Sequence, residues 1–215
     1  MTKVVIVGAG VAGINAATKL VDNNFKGKIT IIDMGKNPYD RLPEEVMTGM
    51  LGAGGWSDGK LTYHTSIGGQ LSKYCGDEKA MELMDQVINN FKRFHPKPEE
   101  VQCSNPVAEP DFIKPYFGLR LFPVWHVGTD YLHEIGKNWY DYLINNDVEF
   151  IWETKVTDID FDKNIVLYDG GWEDYNQLIF GVGKSGIDFG KKLAEEYELP
   201  TEPKSVQIGV RFEAP

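Results

Sequence analysis

The sequence has few cysteines, and they lie far apart. Cys75 and Cys103 are the two in 215 residues, and their separation excludes a C-x-x-C redox pair and a zinc ribbon. His64 and His126 belong to no metal-ligand or Ser-His-Asp spacing. We therefore predict no metal site, name no catalytic acid or base, and expect reduced thiols in a cytoplasmic protein.

The sequence also lacks a hydrophobic run long enough to span a membrane. Its N-terminal apolar run is short and interrupted by glycines, which favours a first strand over a signal peptide. Basic residues are in deficit, because 22 Lys and Arg against 32 Asp and Glu give a formal net charge of −10. This charge argues against nucleic acid or an anionic membrane as the main partner. With 42% hydrophobic residues and no internal repeat, we expect one soluble domain over residues 1–215.

A glycine motif near the N-terminus is the strongest signal in the sequence. Residues 4–7 are a β-branched run, which predicts a parallel strand buried on both faces. Gly8, Gly10 and Gly13 follow at once in G-x-G-x-x-G spacing, and residues 14–21 have a helical pattern. Strand, glycine turn and helix in this order indicate a dinucleotide-binding turn.

Each glycine of the motif has a distinct physical role. Gly8 allows the tight turn, Gly10 lets a pyrophosphate approach the backbone, and Gly13 with Ala17 allows close packing of helix on strand. The helix start offers free N–H groups and a positive dipole end to the phosphates. The predicted contacts run along the whole turn: Gly8, Ala9, Gly10, Val11, Ala12 and Gly13.

An acidic residue ends the second predicted strand, residues 28–33. Asp33 stands about 20 positions after the last glycine of the motif, where a carboxylate accepts hydrogen bonds from a ribose 2′-OH and repels a 2′-phosphate. FAD or NAD is therefore favoured over NADP, although the nearby Lys36 slightly weakens this preference. We place the next residue, Met34, at the same site. Arg41 is predicted near the adenosine half of the cofactor, with a solvated loop arginine as an equal alternative.

A second glycine-rich stretch covers residues 50–71. Six glycines are interleaved with apolar side chains, and Ser57, Asp58 and Lys60 add polar groups. Such a loop suggests backbone that approaches a flat ligand closely, and a surface loop is the alternative.

The remaining pattern predicts an α/β fold with an unusual order of elements. The β-α-β unit of residues 1–33 is followed by a glycine-rich and helical excursion over 35–118. The later predicted elements are a helix over 77–94 capped by Asp77, a helix opening at Thr129, a β-meander in the 148–168 region, a strand over 175–180, a helix over 188–198 and a strand over 205–212. An NAD dehydrogenase would continue β-α-β-α-β from its second strand. The excursion and meander follow instead the order of two-domain flavoproteins.

Several motifs together resemble one family. VVIVGAGVAG with Asp33, GAGGWSDGKL at 52–61, HVGTDYL at 126–132, GVGKSGIDF at 181–189 and IGVRFEAP at 208–215 are similar to the FAD-dependent dehydrogenases of the glutathione-reductase-like flavoprotein superfamily. The resemblance implies a Rossmann-like FAD/NAD(P)-binding domain in which a parallel sheet carries a β-meander crossover and a helical, glycine-rich insertion.

The resemblance also implies contacts to FAD at particular positions. Gly54, Gly55, Ser57 and Asp58 would lie along the pyrophosphate, ribityl chain and flavin, with Lys60 near the ring. Val156 would meet the adenine through its backbone. Gly181 and Gly183 occupy the place where the superfamily has Ala-Thr-Gly; Gly181 and Val182 depart from that pattern, and Lys184 stands where arginine is common.

Family members continue beyond the point where this sequence stops, with a substrate domain and a strand that contacts the flavin. We therefore expect a fragment, a naturally short protein, or a site completed by a second chain. The predicted function is an FAD-dependent oxidoreductase of unknown small-molecule substrate. An NAD-binding Rossmann dehydrogenase and a non-catalytic nucleotide-binding module are the alternatives.

Overall fold

The computed structural model describes residues 1–105 and 121–202, which form ten strands and five α-helices. In chain order they are β1 (Lys3–Val7), α1 (Val11–Asp22), β2 (Lys28–Ile32), β3 (Lys60–Thr62), α2 (Leu71–Cys75), α3 (Asp77–Phe94), β4 (Gln102–Ser104), β5 (Val124–His126), α4 (Leu132–Ile144), β6 (Val148–Ile151), β7 (Val156–Asp160), β8 (Ile165–Tyr168), β9 (Gly171–Asp174), β10 (Gln177–Phe180) and α5 (Ile187–Glu196).

A four-stranded parallel sheet is the centre of the fold. Its strand order is β10-β1-β2-β6. β1 pairs with β2 on one side and with β10 on the other, so that Val7 lies opposite both Ile32 and Phe180. The predicted α/β fold with a parallel sheet is confirmed, and the second glycine junction lies beside the first as expected.

The two faces of β1 belong to different hydrophobic cores. Val4 and Ile6 pack with α1, α3 and α4 around the buried Trp139. Val5 and Val7 face the other way, towards β7, β8 and α5. Successive side chains of a strand alternate between faces. The uninterrupted apolar run of β1 is therefore explained by burial on both sides.

The β-meander consists of β7, β8 and β9, which pair antiparallel in that order. It spans residues 156–174, whereas the sequence placed it in the 148–168 region. Residues 148–151 belong to the parallel sheet, because β6 pairs along β2. The chain leaves that sheet at Glu153, which has a positive φ of 53°.

A second antiparallel sheet, with the order β3-β5-β4, was not predicted from the sequence. It takes one three-residue strand from the glycine-rich stretch and one from the segment predicted as an irregular connection. Two predicted caps also shift by one residue. Gly76 caps α3 in place of Asp77, and Gly128 caps a 3₁₀ turn over Thr129–Tyr131 that precedes α4. The predicted strand over 205–212, the motif at 208–215 and residues 106–118 of the excursion lie outside the described residues.

Candidate dinucleotide-binding cleft

A cleft of about 600 Å³ lies at the carboxyl ends of β1, β2 and β10. Ligands of open α/β sheets bind outside the carboxyl ends of the strands, where the strand order reverses. β1 is such a position, because the chain runs from β1 to β2 on one side and returns to β10 on the other. The lining residues are Val7, Gly8, Gly10, Val11, Ala12, Ile32, Asp33, Met34, Met47, Thr48, Leu51, Gly52, Ala53, Gly54, Thr154, Lys155, Val156, the run 180–186, Asp188 and Phe189.

The three motif glycines meet different surroundings. Gly8 has φ +103°, and a Cβ there would lie 2.5 Å from the carbonyl oxygen of Gly181. A Cβ on Gly13 would lie 2.0 Å from the carbonyl oxygen of Gly8. A Cβ on Gly10 would meet no atom of the described residues within 4 Å. Gly8 and Gly13 therefore serve the fold, while the space above Gly10 opens into the cleft.

Two helices begin at the cleft, and their first turns differ in charge. α1 starts at Val11, its N-cap Gly10 provides no capping side chain, and its first turn is uncharged. α5 carries Asp188 in its first turn, and this carboxylate also lines the cleft. Because free N–H groups and a positive dipole end attract anions, α1 is the better place for a phosphate.

The Asp33 carboxylate binds three backbone N–H groups. One oxygen accepts from Ala9 at 2.7 Å, and the other accepts from Gly35 at 2.7 Å and Gly49 at 2.8 Å. Asp33 thus joins the first glycine turn to the segment that follows β2. A carboxylate has about four acceptor positions, so about one is left for a ribose hydroxyl.

Arg41 is buried, with 6% of its surface exposed, and lies behind the cleft wall. Its guanidinium donates to the backbone carbonyls of Glu45 at 3.0 Å, Val46 at 2.9 Å and Gly52 at 2.8 Å, and also to that of Met50. Burial lowers the pKa of Arg41 to about 10, and the charges of Asp33 and Glu45 oppose that shift. The head group is bound to four carbonyls and lies outside the cleft lining, and its contact with the adenosine half stays a prediction.

The wall segment, which we define as residues 45–52, lies across the first glycine turn. Leu51 forms a parallel bridge with Gly10, and its N–H donates to the carbonyl of Ala9 at 2.8 Å. Leu51 is buried and has a left-handed φ of 63°, an uncommon conformation for a branched side chain. The wall segment therefore shapes its side of the cleft with backbone atoms as much as with side chains.

The structure brings ten of the seventeen predicted site residues to the cleft. These are Gly8, Gly10, Val11, Ala12, Asp33, Met34, Gly54, Val156, Gly181 and Gly183. The other seven lie outside its lining: Ala9, Gly13, Arg41, Gly55, Ser57, Asp58 and Lys60.

The residues outside the lining have identifiable contacts. Gly55 is buried behind the wall, where a Cβ would lie 2.9 Å from a guanidinium nitrogen of Arg41. Asp58 and Lys60 form an exposed ion pair at 3.1 Å, and this pair lowers the pKa of the Asp58 carboxyl. Ser57 accepts the N–H of Gly59 at 3.4 Å within its own loop.

Several cleft residues were missed by sequence reasoning. They fall into the wall and its continuation (Met47, Thr48, Leu51, Gly52 and Ala53), the approach to β7 (Thr154 and Lys155), the ends of two strands (Val7 and Ile32) and the second glycine junction (Phe180, Val182, Lys184, Ser185, Gly186, Asp188 and Phe189). The second junction had a usable signal, since its strand–glycine–helix order was recognised. Residues 50–53 lie at the start of the glycine-rich stretch that was singled out in the sequence. Met47 and Thr48 had no signal, because their position depends on the contacts that neighbouring residues make with Asp33 and Arg41.

A comparison with protein families gives a match that agrees with this geometry. The model of the pyridine nucleotide-disulphide oxidoreductase family matches residues 2–95. The match includes the first glycine turn, Asp33 and the wall segment. A comparison with curated proteins found no match.

Solved structures show where the fold has been seen before. Glycine oxidase from Geobacillus kaustophilus is similar with a TM-score of 0.53 and 12% identity, over 90% of this chain and 59% of that one. Glycine oxidase from Bacillus cereus gives a TM-score of 0.52 and 13% identity, over 92% and 58%. At these identities the similarity shows the fold alone. The chain spans less than two thirds of the length of these neighbours.

Two findings concern other kinds of site. Within residues 1–105 and 121–202, no helix is long and apolar enough to cross a membrane. Among the same residues, no group of three or more His, Cys, Asp and Glu is arranged to hold a metal ion.

Proposed function

We propose that this chain is the FAD-binding part of an FAD-dependent oxidoreductase. One observation carries the proposal: the open space above Gly10 adjoins the uncharged N-terminus of α1, inside a cleft bounded by a second glycine junction. This arrangement offers a diphosphate unpaired N–H groups and close approach to backbone. The family match over residues 2–95 supports an oxidoreductase.

The position of the cleft residues suggests a direction for the dinucleotide. Gly10 and Ala12 would hold the pyrophosphate, and Asp33 and Val156 would hold the adenosine. Gly54 and the Gly181–Gly183 turn would hold the ribityl and flavin half. Ser57, Asp58 and Lys60 stay as proposed contacts at the flavin end, where their exposed side chains are available.

The order of elements favours FAD over NAD. β2 is followed by the excursion and by α4 before the next parallel strand, β6, and the meander comes between β6 and β10. Asp33 places a carboxylate where a 2′-phosphate would be repelled, which disfavours NADP. When FAD is bound, its isoalloxazine carries the hydride or electron transfer. The residues of this chain hold the cofactor by its phosphates and ribose and fix its orientation.

The remaining parts of the proposal concern the whole protein. We assign residues 1–215 to one cofactor-binding domain. A second chain or a C-terminal segment supplies the substrate side, and the substrate is a small molecule of unknown identity. A cytoplasmic location is consistent with the two free cysteines.

A ligand comparison by thermal shift and fluorescence titration tests the proposal. We expect FAD to raise the unfolding temperature of the cofactor-free protein more than ADP-ribose, and NADP to have no effect. ADP-ribose shares one half of FAD, so it separates the adenosine contacts from the flavin contacts. Stabilisation by NAD with no response to FAD would instead support an NAD-binding dehydrogenase. Indifference to all of these ligands would leave a non-catalytic module.

A further inference from the structure

Two charged side chains of opposite sign hold the wall segment from its two sides. Asp33 accepts the N–H of Gly49 and the N–H of Ala9, so one carboxylate joins the wall to the first glycine turn. Arg41 donates to four carbonyls of residues 45–52. The backbone of the wall is thus bonded through one amide to Asp33 and through four carbonyls to Arg41.

The wall needs such support because its backbone conformation is unusual. Gly49, Leu51 and Gly52 have φ of 82°, 63° and 52°, so three of four successive residues are left-handed. Local backbone N–H groups satisfy the carbonyls of Gly49 and Leu51. The carbonyls of Met50 and Gly52 accept donors from outside the segment. The Arg41 guanidinium supplies those donors in a planar fork, which a lysine ammonium cannot reproduce.

We infer that Asp33 and Arg41 are positioning residues that fix residues 45–52 as one wall of the cleft before any ligand binds. Met47, Thr48, Leu51 and Gly52 line the cleft from this wall, whereas Arg41 lies outside the lining. The affinity for a dinucleotide therefore depends on a side chain that lies outside the cleft lining. The identity of that ligand as FAD rests on the proposed function. The fixed conformation of residues 45–52 is independent of it.

The test combines hydrogen exchange with cofactor titration. Arg41→Ala removes all four donors, and Arg41→Lys keeps the charge but loses the fork. Arg93→Ala is the matched control. Arg93, on α3, donates from one guanidinium nitrogen to both carboxylate oxygens of Asp22 at 3.0 Å, and it lies outside the cleft lining. Exchange is measured without cofactor at the amides of Gly49 and Leu51 and, for comparison, at those of β1.

In both Arg41 variants, we expect amide hydrogens of the wall to exchange at least about tenfold faster than in the wild type. The exchange rates of β1 should be unchanged, because the wall can open locally without global unfolding. The affinity for FAD falls at least about tenfold, which corresponds to about 1.4 kcal/mol. Added ethylguanidinium should restore the exchange rate at the wall amides and the affinity for FAD in Arg41→Ala. A substitution that only destabilised the fold would not be rescued in this way. Arg93→Ala matches the wild type in both assays.

Wild-type exchange at Gly49 and Leu51 in Arg41→Ala, or undiminished affinity for FAD, would overturn the inference. If Arg41→Ala does not fold, Arg41→Lys decides by the same criteria. If the wild type does not bind FAD, the proposed function fails, and exchange at the wall still tests the positioning role by itself.

Discussion

A side chain at Gly10 should separate cofactor binding from folding. The backbone of Gly10 has φ −68° and ψ 178°, which any residue can adopt, and an added Cβ meets no described atom within 4 Å. Alanine reduces the freedom of the unfolded chain relative to glycine but is a poorer N-cap. These effects oppose each other, so the free energy of unfolding should change by no more than about 0.5 kcal/mol in Gly10→Ala.

The effect on cofactor affinity is expected to be much larger. A methyl group above Gly10 occupies the space where the pyrophosphate approaches the N-terminus of α1. Displacement of one charge-assisted hydrogen bond costs about 1.5–3 kcal/mol, which weakens binding about 10- to 150-fold. Gly10→Val should weaken it further, because its side chain is larger.

The assay is titration with FAD alongside urea unfolding of each variant. Gly69→Ala is the matched control, since a Cβ at Gly69 also meets no described atom within 4 Å and Gly69 lies outside the cleft lining. Gly13→Ala should instead lower stability, because its Cβ would lie 2.0 Å from the carbonyl oxygen of Gly8. Wild-type affinity for FAD in Gly10→Val would refute the placement of the pyrophosphate.

Two further predictions concern stability. Gly181→Ala should raise the free energy of unfolding by about 0.4–1 kcal/mol, because alanine reduces the freedom of the unfolded chain. Its Cβ would fit without strain, at 3.6–3.8 Å from atoms of Gly13, Val7 and Ala12. Urea unfolding measures this change, and a loss of stability would contradict the prediction. The hydrogen bond from Tyr63 to Asp85, at 2.7 Å, raises the pKa of Tyr63 from 10.0 to about 12. Its contribution to stability is therefore complete below pH 10 and is lost as the pH rises through about 12. Tyr63→Phe should lack this loss in unfolding experiments across that range, and identical pH profiles for the two proteins would contradict the assignment.

The elements with local signals were predicted well from the sequence. The helix predicted over 77–94 is α3, Asp77–Phe94, because its apolar residues recur at helical spacing and prolines follow it. The second glycine junction lies beside the first because both strands are apolar runs that end in glycine turns. In each case, the residues that determine the structure are close together in the chain.

The features that were not predicted lack a local pattern. Strands β3 and β4 have three residues each and come from separated segments. β5, by contrast, lies within the apolar run 119–127, which is typical of a strand. Arg41 was predicted as a cofactor contact because its sequence position fits one, and that contact stays a prediction. Its four carbonyl partners are close in the chain, but no residue pattern marks a loop that folds around an arginine. Leu51 was missed because a left-handed leucine has no sequence signature.

The flavin content of the purified protein tests the central claim most directly. The flavin is released by denaturation, identified by chromatography and quantified against the protein concentration, after reconstitution with excess FAD and removal of the unbound cofactor. We expect one FAD for each chain in the wild type and in Gly69→Ala, and a substoichiometric amount in Gly10→Val. A wild type that retains no FAD, or a Gly10→Val variant that retains one equivalent, would contradict it.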